Sequence, residues 1–211
     1  MQLTKLGHAC VRLGKNGARL VIDPGSYSGP DPLAGASAVL VTHEHPDHLD
    51  ADALRAALAA DAGLELWSNA SVAARFAEFG PRVHTVAHGD TFDAAGFGVH
   101  VYGRKHAVIL PQIPVIENTG FAVDGLVFHP GDSFTVPEDS VPTLLVPVTA
   151  PWLKFSDVAD YIQAAGPARG YAIHDGILSD PGLALIGNLL KLASPADAPV
   201  TRLEPGTTVE L

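Results

Sequence analysis

Four side chains able to bind a metal ion crowd into one stretch of this sequence, Thr42-His43-Glu44-His45-Pro46-Asp47-His48. Imidazole nitrogen and carboxylate oxygen suit zinc, and also iron or manganese. In an extended segment, residues two apart point to the same side, so His43 and His45 are expected to project together. Pro46 then turns the chain and puts Asp47 and His48 where a helix is expected to begin. One short segment cannot wrap all four side chains around a single small cation, but it can serve two cations side by side. A lone His after a strand is more often structural, satisfying a backbone group; His-x-His-x-Asp-His after a buried strand reverses that weighting in favour of metal.

The elements around this stretch must hold it in place. Residues 38–42 form a short apolar run typical of a buried strand and lead straight into the cluster. Before it, residues 9–13 and 18–23 flank Gly14-Lys15-Asn16-Gly17, whose Asn-Gly is a strong hairpin signal. Asp23-Pro24-Gly25 ends the second run, and residues 24–37 read as a Gly- and Pro-rich loop. Ala51–Ala60 is expected to be a helix, since Leu54 and Leu58 lie four apart in an alanine-rich context. A second helix is expected from Asn69 or Ser71 to about Phe79, stopped by Gly80-Pro81. Residues 64–67, 82–87, 97–103, 119–123, 126–129, 143–147 and 169–173 read as strands. Helices are expected from Ser156 or Asp157 through Ala165 and over 181–192, with Pro at the start of the latter. The end of the chain returns to β. Strands interleaved with helices predict an α/β protein with two sheets and helices outside. The halves echo each other loosely in element order, without sequence identity. No linker divides the chain, so residues 1–211 are expected to form one domain.

Composition narrows the functional classes. The 211 residues are 47% hydrophobic and 17% charged, which is the make-up of a folded protein rather than a disordered one. No apolar run is long enough to span a bilayer, so no membrane partner is expected. The N-terminus lacks a basic start followed by an apolar stretch, so no signal peptide is expected. The single cysteine, Cys10, permits no internal disulfide, which fits a cytoplasmic setting. A formal charge of −10 would repel a phosphate backbone, so nucleic acid is not an expected partner. The ten histidines are dispersed along the chain, which excludes a tag and favours a metal site.

The motif resembles that of the metallo-β-lactamase superfamily. Leu6-Gly7-His8-Ala9 followed by Val21-Ile22-Asp23-Pro24 looks like the opening hairpin of the branch that includes ascorbate-6-phosphate lactonase-like and N-acylphosphatidylethanolamine phospholipase-like proteins. Gly89-Asp90-Thr91-Phe92, Asn118-Thr119-Gly120-Phe121 and His129-Pro130-Gly131-Asp132-Ser133 follow in the family's order, so the resemblance covers essentially the whole chain. It implies a four-layer αβ/βα sandwich with two metals at one end, between the sheets. It also implies that Asp132 bridges both metals, that His174 is the last histidine ligand and that His106 is the remaining one. His106 sits in Lys105-His106-Ala107-Val108, which departs from the glycine-rich pattern common around this ligand; His100, inside a strand, is its rival. One metal would then have His43, His45, His106 and Asp132, and the other Asp47, His48, Asp132 and His174. His8, His84, His88, His100 and His129 read mainly as structural, with His8 the one that could lie near the site. Asp23 could orient a ligand.

Two divalent ions, most fittingly zinc, with manganese or iron as alternatives, would lower the pKa of a shared water to near 7 and supply the nucleophile. Asp47 and Asp132 are the expected catalytic carboxylates, Asp47 as both ligand and proton carrier. Cys10 reads as core. The expected reaction is hydrolysis of an ester, lactone or phosphodiester in a small-molecule substrate. An iron-dependent oxidoreductase on the same fold is the alternative, and a non-catalytic metal- or metabolite-binding protein a weaker one. Residues 107–118 and Thr149-Ala150-Pro151-Trp152, with Tyr27 nearby, are candidate pocket walls. Arg104 and Lys105 could bind an anion or face solvent. The sequence indicates neither the particular substrate nor the oligomeric state.

Overall fold

The computed structural model describes residues 1–211, whose strands build two mixed sheets of seven strands each. The first contains β1 (Gln2–Gly7), β2 (Cys10–Lys15), β3 (Ala18–Ile22), β4 (Ala38–Val41), β5 (Glu65–Ser68) and β6 (Val83–Thr85) in that order. The second runs through β7 (Thr91–Ala94), β8 (Phe97–Tyr102), β9 (Gly120–Val123), β10 (Val127–His129), β11 (Thr143–Pro147), β12 (Arg169–Ile173) and β13 (Val200–Thr201). The last strand, β14 (Thr208–Glu210), returns to the first sheet beside β1. Each sheet begins with antiparallel hairpins and then turns parallel, from β3 onward in the first and from β10 onward in the second. The loose echo between the halves is therefore an echo of topology.

Period-two burial explains the layers. Leu20, Ile22, Ala38 and Leu40 face Phe97, Val99, Val101 and Leu145 in the core between the sheets. Their neighbours Val21, Val39 and Val41 face the other way, onto Leu54 and Leu58 of α1 (Ala51–Ala60) and Val72 of α2 (Ala70–Ala74). Leu144, Val146 and Ala172 pack outward against Val158, Tyr161 and Ile162 of α3 (Phe155–Ala165) and Ile186 and Leu190 of α4 (Asp180–Ala193). The parallel strands need helical crossovers, and those helices cover the two outer faces, which gives the αβ/βα sandwich.

Several local expectations change. The N-terminal strand β1 was not legible as β, because it carries Thr4 and Lys5 into the interior, where a lysine is rarely found. β7 is a further strand, paired with β8. The helix expected to run to about Phe79 stops at Ala74 and gives way to a 3-10 turn, Ala77–Arg82. Phe76 lies between them with a φ of −125° and is fully buried in the core under α1, so tertiary packing overrides helix continuation. Asp47 and His48 do not start a helix: residues 45–49 form a turn closed by bonds from the His48 and Leu49 amides to the His45 carbonyl. α1 begins only at Ala51, where the Asp50 carboxylate accepts the Ala53 amide at 3.0 Å. No helix is long and apolar enough to cross a membrane.

The topology places the chemistry. In sheets with parallel strands, the loops past the carboxyl ends of those strands gather at one edge. Asp23 follows β3, the His43–His48 stretch follows β4, Asp132 follows β10, Thr149–Trp152 follows β11 and His174 follows β12. All of these loops meet at the same rim.

Candidate metal centre

All seven residues expected as ligands converge at that rim. His43, His45, His106 and Asp132 form one group that could hold a metal ion, and His8, Asp47, His48 and His174 form another. Asp132 joins the two: its Oδ1 is 3.0 Å from His48 Nε2, and its Oδ2 is 3.2 Å from both His106 Nε2 and His174 Nε2. Most of these side chains are buried, whereas His45 and Asp47 are half-buried and mark the open side.

The second layer fixes which nitrogen of each ring is free. The His48 Nδ1–H donates to Asp23 Oδ2 at 2.6 Å. Asp23 also accepts the Thr42 amide and the Thr42 hydroxyl, both at 2.7 Å. Having spent its proton on Asp23, the Thr42 hydroxyl accepts from His43 Nδ1 at 3.0 Å. His106 Nδ1 donates to the Ala107 carbonyl at 2.6 Å, and His174 Nδ1 donates to the Thr149 carbonyl. Each Nδ1 carries a proton outward, so each Nε2 faces the site and, in the neutral ring, would offer its lone pair to a metal, the arrangement found around metal-bound histidines. Nε2 of His48, His106 and His174 and Oδ1 of Asp132 are buried without any hydrogen-bond partner, despite their close spacing. Four orphaned donor atoms in one place would be costly unless a cation joined them. The residues present therefore fit a pair of metal ions.

His8 is the exception within its group. Its Nδ1 accepts the Gly176 amide at 3.0 Å, so its proton must sit on Nε2, which lies 3.2 Å from Asp47 Oδ2. A neutral ring has one lone pair, and that one is used. His8 thus lies at the site, as its place in the opening motif allowed, but as a donor to Asp47 rather than as a free ligand atom. Beneath it, the buried Lys5 ammonium donates to the His8 carbonyl at 2.6 Å, to the Ala172 carbonyl at 2.9 Å and to Asp175 at 3.0 Å. The His174 amide donates to the same His8 carbonyl at 3.0 Å. His8, Asp23 and His174 all adopt positive φ, at 31°, 53° and 61°, strain that the surrounding bonds must hold.

Electrostatics follow from this crowding. Burial pushes His43 well below its ordinary value, and His48 adds to the effect. His45 is lowered by burial and by His106. For His48 burial opposes the charge, but Asp132 and Asp23 outweigh it and raise the group well above its ordinary value. Burial likewise opposes a charge on His174, yet the Asp132 and Asp47 carboxylates beside it lift it to about 9. The Asp132 carboxyl, despite burial, is held well below its usual range by His48, His106 and His174. Without metal, protons on His48 and His174 stand in for part of the positive charge that two ions would bring.

Other expectations resolve by position. His100 contacts Asp139 at 3.2 Å and Tyr102 at 2.7 Å on the second sheet, away from the cluster, so His106 is the histidine at the site. His84 pairs with Glu65 and stacks on Trp67, and His88 lies 4.0 Å from Glu138. His129 binds the Ala9 carbonyl at 2.9 Å. Cys10 is a buried thiol in the core, pushed up to about 12 by burial. The Trp152 indole N–H donates to Asp132 Oδ2 at 2.9 Å, so the 149–152 segment reaches the site. Asn118 holds the Asp132 turn, its side chain accepting the Asp132 amide at 3.0 Å and donating to the Pro130 carbonyl at 2.8 Å. Sequence reasoning missed Lys5 altogether; Asp175 carried a signal only through standing next to His174.

Known proteins share this architecture. A family model described as a beta-lactamase superfamily domain matches residues 2–174. The protein Rv0786c of Mycobacterium tuberculosis is 40% identical over 185 residues, covering 85% of this chain and 86% of that one. A UPF0173 metal-dependent hydrolase of a Chelativorans species is 29% identical over 160 residues, 63% of each chain. Among solved structures, Igni18, a metallo hydrolase of Ignicoccus hospitalis, shares the fold with a TM-score of 0.74 at 22% identity, over 99% of this chain and 97% of that one.

Proposed function

We propose, for a chain that belongs to the metallo-β-lactamase superfamily, that it is a metal-dependent hydrolase working with two divalent ions on an ester, lactone or phosphodiester bond of a small molecule. The observation that carries this reading is the convergence of four buried, partnerless donor atoms, on His48, His106, His174 and Asp132, beside His43, His45 and Asp47. The name of the Chelativorans relative, a metal-dependent hydrolase, supports it. His43, His45, His106 and Asp132 would hold one ion, and Asp47, His48, Asp132 and His174 the other. An all-imidazole and carboxylate set suits zinc best, with manganese or iron as alternatives. When bound, such a pair supplies Lewis acidity and a water of lowered pKa, so no Ser or Cys nucleophile is required.

The chain's own residues do the rest. Trp152 holds the Asp132 carboxylate at Oδ2 and Asn118 holds its backbone amide, which keeps the carboxylate between the two clusters. His8 Nε2–H steadies Asp47, and the neighbouring His174 and His8 rings hold that carboxyl far below its usual range although burial opposes ionisation. Asp47, half-buried at the open side, would pass a proton between the site and solvent.

The test is elemental analysis of the purified protein, coupled to hydrolysis of a panel of phosphodiesters, lactones and thioesters, for wild type and Asp132→Ala. About two ions per chain, with metal and turnover both falling in the variant, is the expected result. Iron with redox turnover would instead establish the oxidoreductase alternative, and no metal after reconstitution with zinc, manganese or iron would overturn the reading.

A further inference from the structure

We infer that the substrate carries an uncharged hydrocarbon arm, alkyl or aryl, which is seated against residues 107–116 beside the first metal group. This deepens the hydrolase reading and rests on it.

Large apolar side chains exposed to solvent are unevenly distributed. Val108, Leu110, Ile113 and Val115, between 40% and 57% exposed, all lie on the one segment that follows His106. Tyr27 and Ile177 are exposed to a similar degree at the other group: the Tyr27 ring packs edge-on to His8 at 5.4 Å, and Ile177 follows Gly176, whose amide binds His8. Six of the nine exposed large hydrophobics thus border the metal centre. Scattered apolar residues need no explanation, but a cluster around a reactive site does.

Between His45, His106 and the side chains of Ile109, Ile113, Val115 and Ile116 the segment encloses a cavity of about 50 Å³. The His45 and His106 rings, steeply inclined to each other, form one wall, and hydrocarbon forms the others. It is large enough for the first one or two carbons of a chain and too small for a sugar or a base. The remaining arm would run out over Val108 and Leu110. The loops bordering the centre (24–29, 103–118, 149–154 and 174–178) contain three cations, Arg104, Lys105 and Lys154, all exposed. None makes an ion pair with a site carboxylate: Lys154 pairs with Asp157, and Lys105 meets Glu117 only through an antiparallel backbone bridge. The buried Lys5 is matched by Asp175. No fixed cation faces the cavity to receive a phosphate on the arm. Continuity of the apolar rim with the ligand cluster favours a substrate arm over a second copy of this chain.

The test is calorimetric titration of the metal-loaded protein with straight-chain carboxylates from acetate to decanoate, for wild type and Ile113→Ser, together with molar mass by light scattering. In wild type, affinity is expected to rise by up to about fourfold per added methylene over the first few carbons, the gain for burying one CH₂. Ile113→Ser, on an exposed segment, should bind acetate like wild type but gain less per carbon. Val136→Ser, exposed elsewhere, should match wild type throughout. A flat response to chain length, an unchanged slope in Ile113→Ser, or tighter binding of a chain ending in phosphate would overturn the inference. So would a dimer that Ile113→Ser converts to monomer. The readout needs no turnover: a chain-length slope without hydrolysis of any panel substrate would refute the hydrolase reading and leave the apolar seat standing.

Discussion

Asp23 is buried, touches neither substrate nor any proposed ion, and yet is expected to control one of the two ions. Its carboxylate accepts three hydrogens: the Thr42 amide, the Thr42 hydroxyl and His48 Nδ1–H. Asp23→Asn keeps the shape but can keep only one oxygen. If that oxygen retains the Thr42 amide, the new NH₂ group faces His48 Nδ1–H at what was a 2.6 Å contact, donor against donor. The Thr42 hydroxyl can rotate; the imidazole cannot. Either its ring swings away, or its proton moves to Nε2 and abolishes the lone pair meant for metal. A buried hydrogen bond to a charged partner contributes about 1.5–3 kcal/mol, and no water is at hand to replace it. At about 1.4 kcal/mol per tenfold, that amounts to about one to two decades of metal affinity, in line with other outer-layer partners of metal-bound histidine. The loss should fall on the ion of Asp47, His48 and His174, while the ion of His43, His45 and His106 weakens little, because His43 Nδ1 still finds the Thr42 hydroxyl. Chelator-competition titration with zinc, resolving two binding steps, measures both constants. If Asp23→Asn binds both ions as tightly as wild type, the orienting role assigned to Asp23 is wrong; if both steps weaken equally in a folded protein, the assignment of ligands to two separate ions is wrong.

Two further outcomes follow from the same contacts. A Cβ at Gly25 would lie 1.9 Å from the Asp47 carbonyl oxygen, so Gly25→Ala must displace the Asp47 turn by about 1 Å; metal content per chain should fall from about two towards one, with a lowered melting temperature. His174 in the metal-free protein is lifted to about 9, so it contributes stability that is fully present below its unfolded value near 6.5 and is lost as pH rises through about 9. In chelator, denaturant titrations should show stability falling across that window, while the affinity of the second ion rises by at least about tenfold per pH unit as the protons competing at His174 and His48 leave; an apoprotein that gains stability from pH 6.5 to 9 would contradict this.

The part of the site written in one segment was readable, and the part assembled from distant segments was readable only through motif order. His43, His45, Asp47 and His48 announce themselves because a local spacing puts four ligand-type groups after one buried strand. His106, Asp132 and His174 are single residues past separate strands, and only its place past a strand rather than inside one set His106 apart from His100. The structure sends His100 to Asp139 and His106 to Asp132. Lys5 was hidden for a physical reason. Its burial depends on Asp175, 170 residues away, and on two carbonyls that no local pattern predicts. The turn at 45–49 was misread as a helix start because Asp50, which caps α1, lies beyond the ligands rather than among them.

The distribution of the proposed ligands across the sheets explains why those distant contacts matter. The first sheet supplies His43, His45, Asp47 and His48, and the second supplies His106, Asp132 and His174, so neither sheet alone would complete a site. Contacts between the sheets hold the rim in register. The Thr119 amide donates to the Thr42 carbonyl at 2.9 Å, the His174 amide to the His8 carbonyl at 3.0 Å, and His129 Nε2 to the Ala9 carbonyl at 2.9 Å, each crossing between the sheets. Lys5 crosses as well, to Ala172 and Asp175. Gly131, with φ of +63°, lets the Asp132 turn close on Thr42, where a Cβ would come within 2.7 Å of the Thr42 Cβ and 2.2 Å of Asn118 Oδ1. These contacts surround the centre without using a ligand atom that faces it. Folding thus sets the positions of the donor atoms, and metal binding need only displace protons from histidines already in place.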